Sequence, residues 1–84
     1  MTSQASEQEI QQEIKVGGIY QSSKNKNLYK VLALAKHSET LEDLVIYEAQ
    51  YENTLSKVWA RPRSMFLEIV ERDGVKQPRF ILVE

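Results

Sequence analysis

At 84 residues, with eleven Lys+Arg against twelve Asp+Glu and a net charge of −1, the chain has room for one small domain. That charge balance gives no electrostatic reason to expect nucleic acid or an anionic membrane as a partner. The absence of cysteine excludes disulfides, thiolate nucleophiles and thiolate zinc sites, and it favours a reducing compartment, since small secreted domains usually need such staples.

The opening stretch, MTSQASEQEIQQEIKV, has neither the basic nor the apolar region of a signal peptide. No run approaches the ~18–20 apolar residues of a membrane span. The expectation is a cytoplasmic protein with no membrane contact. Residues 1–15 are rich in Gln, Glu and Ser, with Ile10 and Ile14 as the only large apolar side chains after Met1. That composition reads as a frayed polar tail. Ser6 and Glu9 also have the spacing of a capping box, so the alternative is a short helix over 7–14 laid on the domain or on a second copy of it.

The folded part is expected over 16–84. Paired Gly17-Gly18 before Ile19-Tyr20 suits a chain entering a bent sheet with close backbone approach. The polar stretch 21–27 reads as a turn, with Asn25 and Asn27 suited to positive φ. Residues 28–36 (LYKVLALAK) read as a strand with Tyr29, Val31, Ala33 and Ala35 on one face and Leu28, Leu32 and Leu34 on the other. Apolar residues on both faces point to a central strand or to a dimer contact. Residues 37–43 (HSETLED) connect it to a returning strand over 44–51, which places Val45, Tyr47, Ala49 and Tyr51 on one face. Residues 57–61 form a short strand that sends Lys57, Trp59 and Arg61 to one side and Val58 and Ala60 to the other. Pro62 ends it, 63–66 form one helical turn, and 67–72 resume as strand. Asp73-Gly74 is the strongest hairpin signal in the chain, and 79–83 make the last strand.

The expected class is therefore mainly β: a small curled antiparallel sheet of five or six strands, closed as an SH3-like barrel, with a short helical turn near 63–66. Closure removes open edges, which a domain this small would otherwise expose. The expected core is Val31, Ala33, Val45, Tyr47 and Val58, joined by Phe66, Ile69, Phe80 and Leu82. An open sheet pairing with a second copy, a homodimer, is the alternative.

The residues also occur in a recognisable order: Gly18-x-Tyr20, Tyr29-x-Val31, His37-Ser38-Glu39-Thr40, Val45-x-Tyr47, Trp59-x-Arg61-Pro62, Met65-Phe66-x-Glu68, Gly74, then Pro78-Arg79-Phe80. This set, which spans roughly 16–80, resembles a family of small bacterial proteins known only as domain of unknown function sixteen fifty-three. The resemblance implies a small β-rich fold. It implies no activity.

Histidine is the side chain type that titrates near neutral pH, so His37, the one histidine, is a candidate base, acid or ligand. A Ser-His-acid triad is disfavoured, because neighbours on an extended segment point to opposite faces and no nucleophile elbow is present. The His37-x-Glu39 spacing matches zinc deaminases, but those need a P-C-x-x-C partner and this chain has no cysteine. A metal would have to combine His37 with Glu39, Glu42 and Asp43. Against these stands a plainer reading, in which Ser38 and Thr40 cap backbone N–H groups and the loop satisfies itself.

Trp59 and Arg61 share a face, so the guanidinium lies beside the indole or reaches an acid. The structural reading makes Trp59 filler and Arg61 the partner of a carboxylate. The functional reading brings His37 and Arg61 to one rim, where an anionic or planar ligand stacks on Tyr20, Tyr29 or Tyr47. Basic residues also interleave with Tyr20, Tyr29 and Trp59, as single-stranded nucleic acid would require, but residues 16–84 hold ten basic against nine acidic side chains. The candidate ligand-binding residues are His37, Ser38, Glu39, Thr40, Tyr20, Tyr29, Trp59 and Arg61, with no catalytic residue, metal or cofactor assigned. The leading reading is a binding or interaction module for a small anionic ligand, a protein segment or nucleic acid. The alternatives are a hydrolase-like or metal-assisted enzyme using His37 and Glu39, and a purely structural partner protein.

Overall fold

The structure, a computed structural model, describes residues 14–84. Four strands come first: β1 (Ile19–Ser22), β2 (Leu28–Lys36), β3 (Asp43–Ala49) and β4 (Val58–Pro62). The helical turn α1 (Arg63–Phe66) follows, then β5 (Ile69–Arg72), β6 (Val75–Pro78) and β7 (Phe80–Leu82). Five strands form one antiparallel sheet in the order β4-β3-β2-β1-β7, and β5 and β6 form a separate hairpin. The mainly β class and the helical turn at 63–66 are as the sequence predicts. Among the described residues no helix is long and apolar enough to cross a membrane.

The sheet does not close into a barrel, because β4 and β7 remain its two edges. After β4 the chain turns through α1, and Phe66, fully buried, covers the inner face in place of further strands. The expected last strand is broken at Arg79. Its N–H donates to the Glu68 carbonyl at 2.8 Å and its carbonyl accepts from the Ser23 N–H at 2.9 Å, so Arg79 hands the chain from the hairpin to the sheet. Asp73 (φ 52) and Gly74 (φ 79) both take positive φ, which is the two-residue turn that Asp-Gly predicts. In the β1–β2 turn it is Lys26 (φ 66), not Asn25 or Asn27, that is left-handed. The Asn25 side chain instead accepts from the Asn27 N–H at 2.9 Å.

The core is aromatic. Phe66 stacks on Phe80 with ring centroids 4.4 Å apart, and it meets Tyr20 and Tyr47 edge-on at 5.2 and 5.5 Å. Tyr29, Val31, Val45, Ala49 and Ile14 complete it. Ile14 thus packs with the core and Lys15 is described beside it, whereas residues 1–13 of the expected tail, and with them the proposed 7–14 helix up to residue 13, lie outside the described residues. Gly18 is required where the chain enters the sheet: a Cβ there would stand 2.9 Å from Leu82 Cδ1 and 3.0 Å from the Lys15 carbonyl.

Four expected core residues are not in the core, each for its own reason. A bulge in β2 puts Val31 opposite Tyr47 but Ala33 opposite Ile46, so Leu32 is the extra residue and Ala33 turns to the outer face. Val58, 46% exposed, pairs with Glu48, and the next residue, Trp59, pairs with Tyr47 on the inner face. Ile69 lies on the separate hairpin, and Leu82 ends the edge strand over Gly18. The consequence for function is that the inner face of β4 carries Trp59 and Arg61.

Candidate functional site

Because Trp59 and Arg61 face inward at the sheet edge, and α1 covers only part of that face, the remainder forms an open concavity of about 460 Å³. Strands β2, β3 and β4 supply Tyr29, Tyr47, Trp59 and Arg61. The β1–β2 turn adds Ser22, Lys24 and Asn25. The connection after β3 adds Tyr51, Asn53 and Leu55, and the passage into β7 adds Arg79 and Phe80.

Among the described residues the lining is cationic, with Lys24, Arg61 and Arg79 and no carboxylate. Arg61 donates through Nε to the Tyr47 hydroxyl at 3.2 Å, and its guanidinium lies 5.5 Å from the centroid of the Phe80 ring. Arg79 is held from outside the concavity by Glu68, at 3.1 Å. Trp59 Nε1 and Arg79 Nε are buried, yet neither has a hydrogen-bond partner among the described residues. Buried polar groups are seldom left so, since each costs on the order of 1–3 kcal/mol. On the other wall the Tyr29 and Tyr51 hydroxyls lie 2.7 Å apart, and Asn53 Nδ2 donates to Tyr51 at 3.3 Å. Burial, and then the bond to Tyr51, push the Tyr29 phenol above its ordinary value of 10.0.

The candidate residues divide accordingly. Tyr29, Trp59 and Arg61 are brought together in the concavity, with Tyr47 beside them. Tyr20 is not: it is packed against Phe66, and its hydroxyl accepts from the Lys15 N–H at 3.0 Å. His37, Ser38, Glu39 and Thr40 occupy the tip of the β2–β3 hairpin. Arg61 pairs with Val45, which pairs with Leu34, and His37 lies three residues further along, beyond the Lys36–Asp43 pair. The expected meeting of His37 with Arg61 at one rim therefore does not occur. The separation follows from register: β4 reaches Leu44, one residue short of the start of β3, but Arg61 stands opposite Val45 and its Nε turns toward Tyr47, away from the tip.

That tip satisfies itself. His37 Nδ1 accepts from the Glu39 and Thr40 N–H groups at 3.1 and 3.2 Å. Ser38 Oγ donates to the Glu39 carboxylate at 3.0 Å, and Thr40 Oγ1 accepts from the Glu42 N–H at 3.2 Å. Among the described residues no group of three His, Asp or Glu is placed to hold a metal ion. A second hollow, near Leu34 and Arg63, contains the Lys36–Asp43 ion pair at 2.8 Å, whose charges cancel. Lys36 also holds the Asp43 carboxyl below its ordinary value. The cationic concavity is therefore the better site.

Sequence reasoning left Arg79, Tyr51 and Asn53 out of the site. Arg79 stands in the Pro78-Arg79-Phe80 segment, already part of the ordered motif set. Tyr51 lies on the face of Val45 and Tyr47 two residues beyond Ala49, so alternation pointed to it.

Comparisons with known proteins agree with this architecture. The family described as Protein of unknown function (DUF1653) matches residues 18–82. A crystal structure of a protein of that family from Bordetella bronchiseptica is similar, with a TM-score of 0.78 and 30% sequence identity, over 86% of this chain and 90% of that one. No match is found among curated proteins. With the family pattern running from Gly18 to Leu82, through every strand of the sheet and the residues that wall the concavity, the chain belongs to the DUF1653 family.

Proposed function

We propose that the protein is a small binding module whose concavity takes a small anionic ligand with a flat apolar part. One observation carries the reading. Lys24, Arg61 and Arg79 face a concavity whose wall, among the described residues, holds no carboxylate, and Trp59 Nε1 and Arg79 Nε are buried there without partners. Cations gathered without counter-charge repel one another, and an anion relieves that repulsion. The rings of Trp59 and Tyr51 offer apolar wall for a planar group. The 37–40 tip takes no part, because its polar atoms are engaged with one another.

The test is the thermal stability of the full chain in a panel of small aromatic anions: benzoate, phenyl sulfate and phenyl phosphate. At least one raises the melting temperature of the native protein and of His37→Ala. The same compound leaves Arg61→Ala, folded by circular dichroism, unchanged. An equal shift in Arg61→Ala, or no shift with any anion, overturns the proposal.

A further inference from the structure

The hydrogen-bonding inventory of the concavity is one-sided. The side-chain oxygens of the wall are already hydrogen-bonded, the Tyr29 and Tyr51 hydroxyls to one another. Ser22 Oγ accepts from the Lys24 and Asn25 N–H groups at 3.1 and 3.4 Å. Asn25 Oδ1 accepts from Asn27, and Asn53 Oδ1 accepts from the Leu55 and Ser56 N–H groups at 2.9 and 3.4 Å. Tyr47 accepts from Arg61 and Tyr51 from Asn53. The acceptors are held in this way because the two turns that frame the concavity use their Asn and Ser side chains to close on their own backbones.

Several donors remain free. Arg61 uses only Nε, so both terminal amino groups remain. Tyr47 accepts through its oxygen and keeps its own proton. Tyr29 and Tyr51 hold two protons between them and use one in their mutual bond, which leaves one. Trp59 Nε1 and Arg79 Nε add two more. The charge tally points the same way. Arg79 is balanced by Glu68, whereas Lys24 and Arg61 have no carboxylate partner among the described residues. The uncompensated charge in the wall is thus two positive units.

We infer that the ligand of this concavity is a phosphomonoester in its dianionic form, carried on a small flat molecule. This rests on the anion-binding reading above and narrows it. A site made of donors with two unbalanced cations fits a group that only accepts and carries two charges. A doubly ionised phosphate has three terminal oxygens and no proton. A carboxylate or a sulfate ester brings one charge. A phosphodiester, the linkage of nucleic acid, brings one charge and only two free oxygens. A nucleobase edge needs acceptors as well as donors, and the wall's side-chain oxygens are already hydrogen-bonded while its free groups are donors.

The inference predicts a pH dependence that comes from the ligand. The second phosphate ionisation lies near 6, so lowering the pH from about 7.5 to about 5.5 converts most of the dianion to a monoanion that bears an O–H donor. The ionisable groups in the wall are phenols, an ammonium and guanidinium groups, classes that do not titrate in that interval. Glu68 touches the site only through Arg79, and His37 lies at the distant hairpin tip.

Calorimetric titration of the full chain with phenyl phosphate, phenyl sulfate, benzoate and a short oligothymidylate tests this. At about pH 7.5 phenyl phosphate binds roughly tenfold more tightly than phenyl sulfate or benzoate, the difference expected of an added charge-assisted contact. At about pH 5.5 its affinity falls about fourfold, following the dianion fraction, while that of phenyl sulfate stays constant. Lys24→Gln lowers the preference for phosphate over sulfate without abolishing binding. Equal affinity for sulfate or benzoate, a flat pH profile for phosphate, or tighter binding of the oligonucleotide overturns the inference and leaves anion binding standing. No binding of any probe overturns both.

Discussion

The Tyr47 hydroxyl accepts from Arg61 Nε at 3.2 Å, so a residue in the middle of the sheet aims a guanidinium at its edge. Their backbones are not opposite one another: Tyr47 pairs with Trp59, and Arg61 with Val45. The contact is thus a diagonal on one face, and it leaves the two-pronged end of Arg61 directed at the concavity.

Tyr47→Phe removes that restraint while keeping the ring contacts with Tyr29, Phe66 and Phe80. The fold is retained. The affinity for the aromatic anion falls roughly two- to tenfold, the worth of one hydrogen bond of about 0.5–1.5 kcal/mol. Isothermal titration beside a denaturant melt of the same variant separates the two effects.

Tyr29 gives the pH prediction. Its phenol is raised above 10.0 in the folded protein, chiefly by burial, so the folded state holds the proton more tightly than the unfolded chain. The stabilisation is fully present below the unfolded value and is lost as pH rises through the folded one. Stability therefore declines above about pH 10, and Tyr29→Phe flattens that decline. Urea melts across the alkaline range, native against variant, show it.

The aromatic stack sets the stability. Phe66 is fully buried and stacked on Phe80, and it is the main cover over the inner face. Phe66→Ala costs about 3–5 kcal/mol, by lost burial and the cavity left behind. Val58→Ala, on the exposed outer face, changes stability by under about 1 kcal/mol. A core built instead around Val58 would reverse that order in a chemical denaturation series.

The 37–40 tip behaves as a turn. His37→Ala loses two backbone contacts to Nδ1 and costs about 0.5–2 kcal/mol, as loss of a cap does. Binding is unchanged. Leu41 stands beside it at φ 64, so Leu41→Gly offsets part of the loss by relieving a left-handed leucine. Thermal melts of the single and double variants measure both.

Local signals carried most of the fold into the sequence. Alternation in β3, the Asp-Gly turn, and the break from strand to helix at Pro62 each depend on a few neighbouring residues. What was not legible depended on pairing across the sheet. The bulge at Leu32 is set by register against β3, and nothing in LYKVLALAK marks which residue is extra. Nor did the sequence reveal which face of β4 turns inward, because VWARP alternates correctly on either choice. Burying Val58 was the hydrophobic choice, but the aromatic surface of Tyr47 and Phe80 is covered by Trp59 and Arg61 instead. The same inversion governs the site: Trp59 and Arg61 were visible as a pair, whereas their distance from His37 follows from the register of β4 against β3 and from the turn of Arg61 toward Tyr47. Arg79 was hidden because its role as the joint between hairpin and sheet is made by backbone contacts to Glu68 and Ser23.

The account is tested most directly at the indole of Trp59, the one tryptophan in the chain. In a nitrogen-15 spectrum its side-chain N–H is a single resolved signal, and it reports on a donor that is buried without a partner. Titration with phenyl phosphate is predicted to shift that signal downfield to saturation, together with the amides of Arg61 and Arg79, while the amides of residues 37–40 stay in place. An indole signal that does not move while the 37–40 amides shift would contradict it.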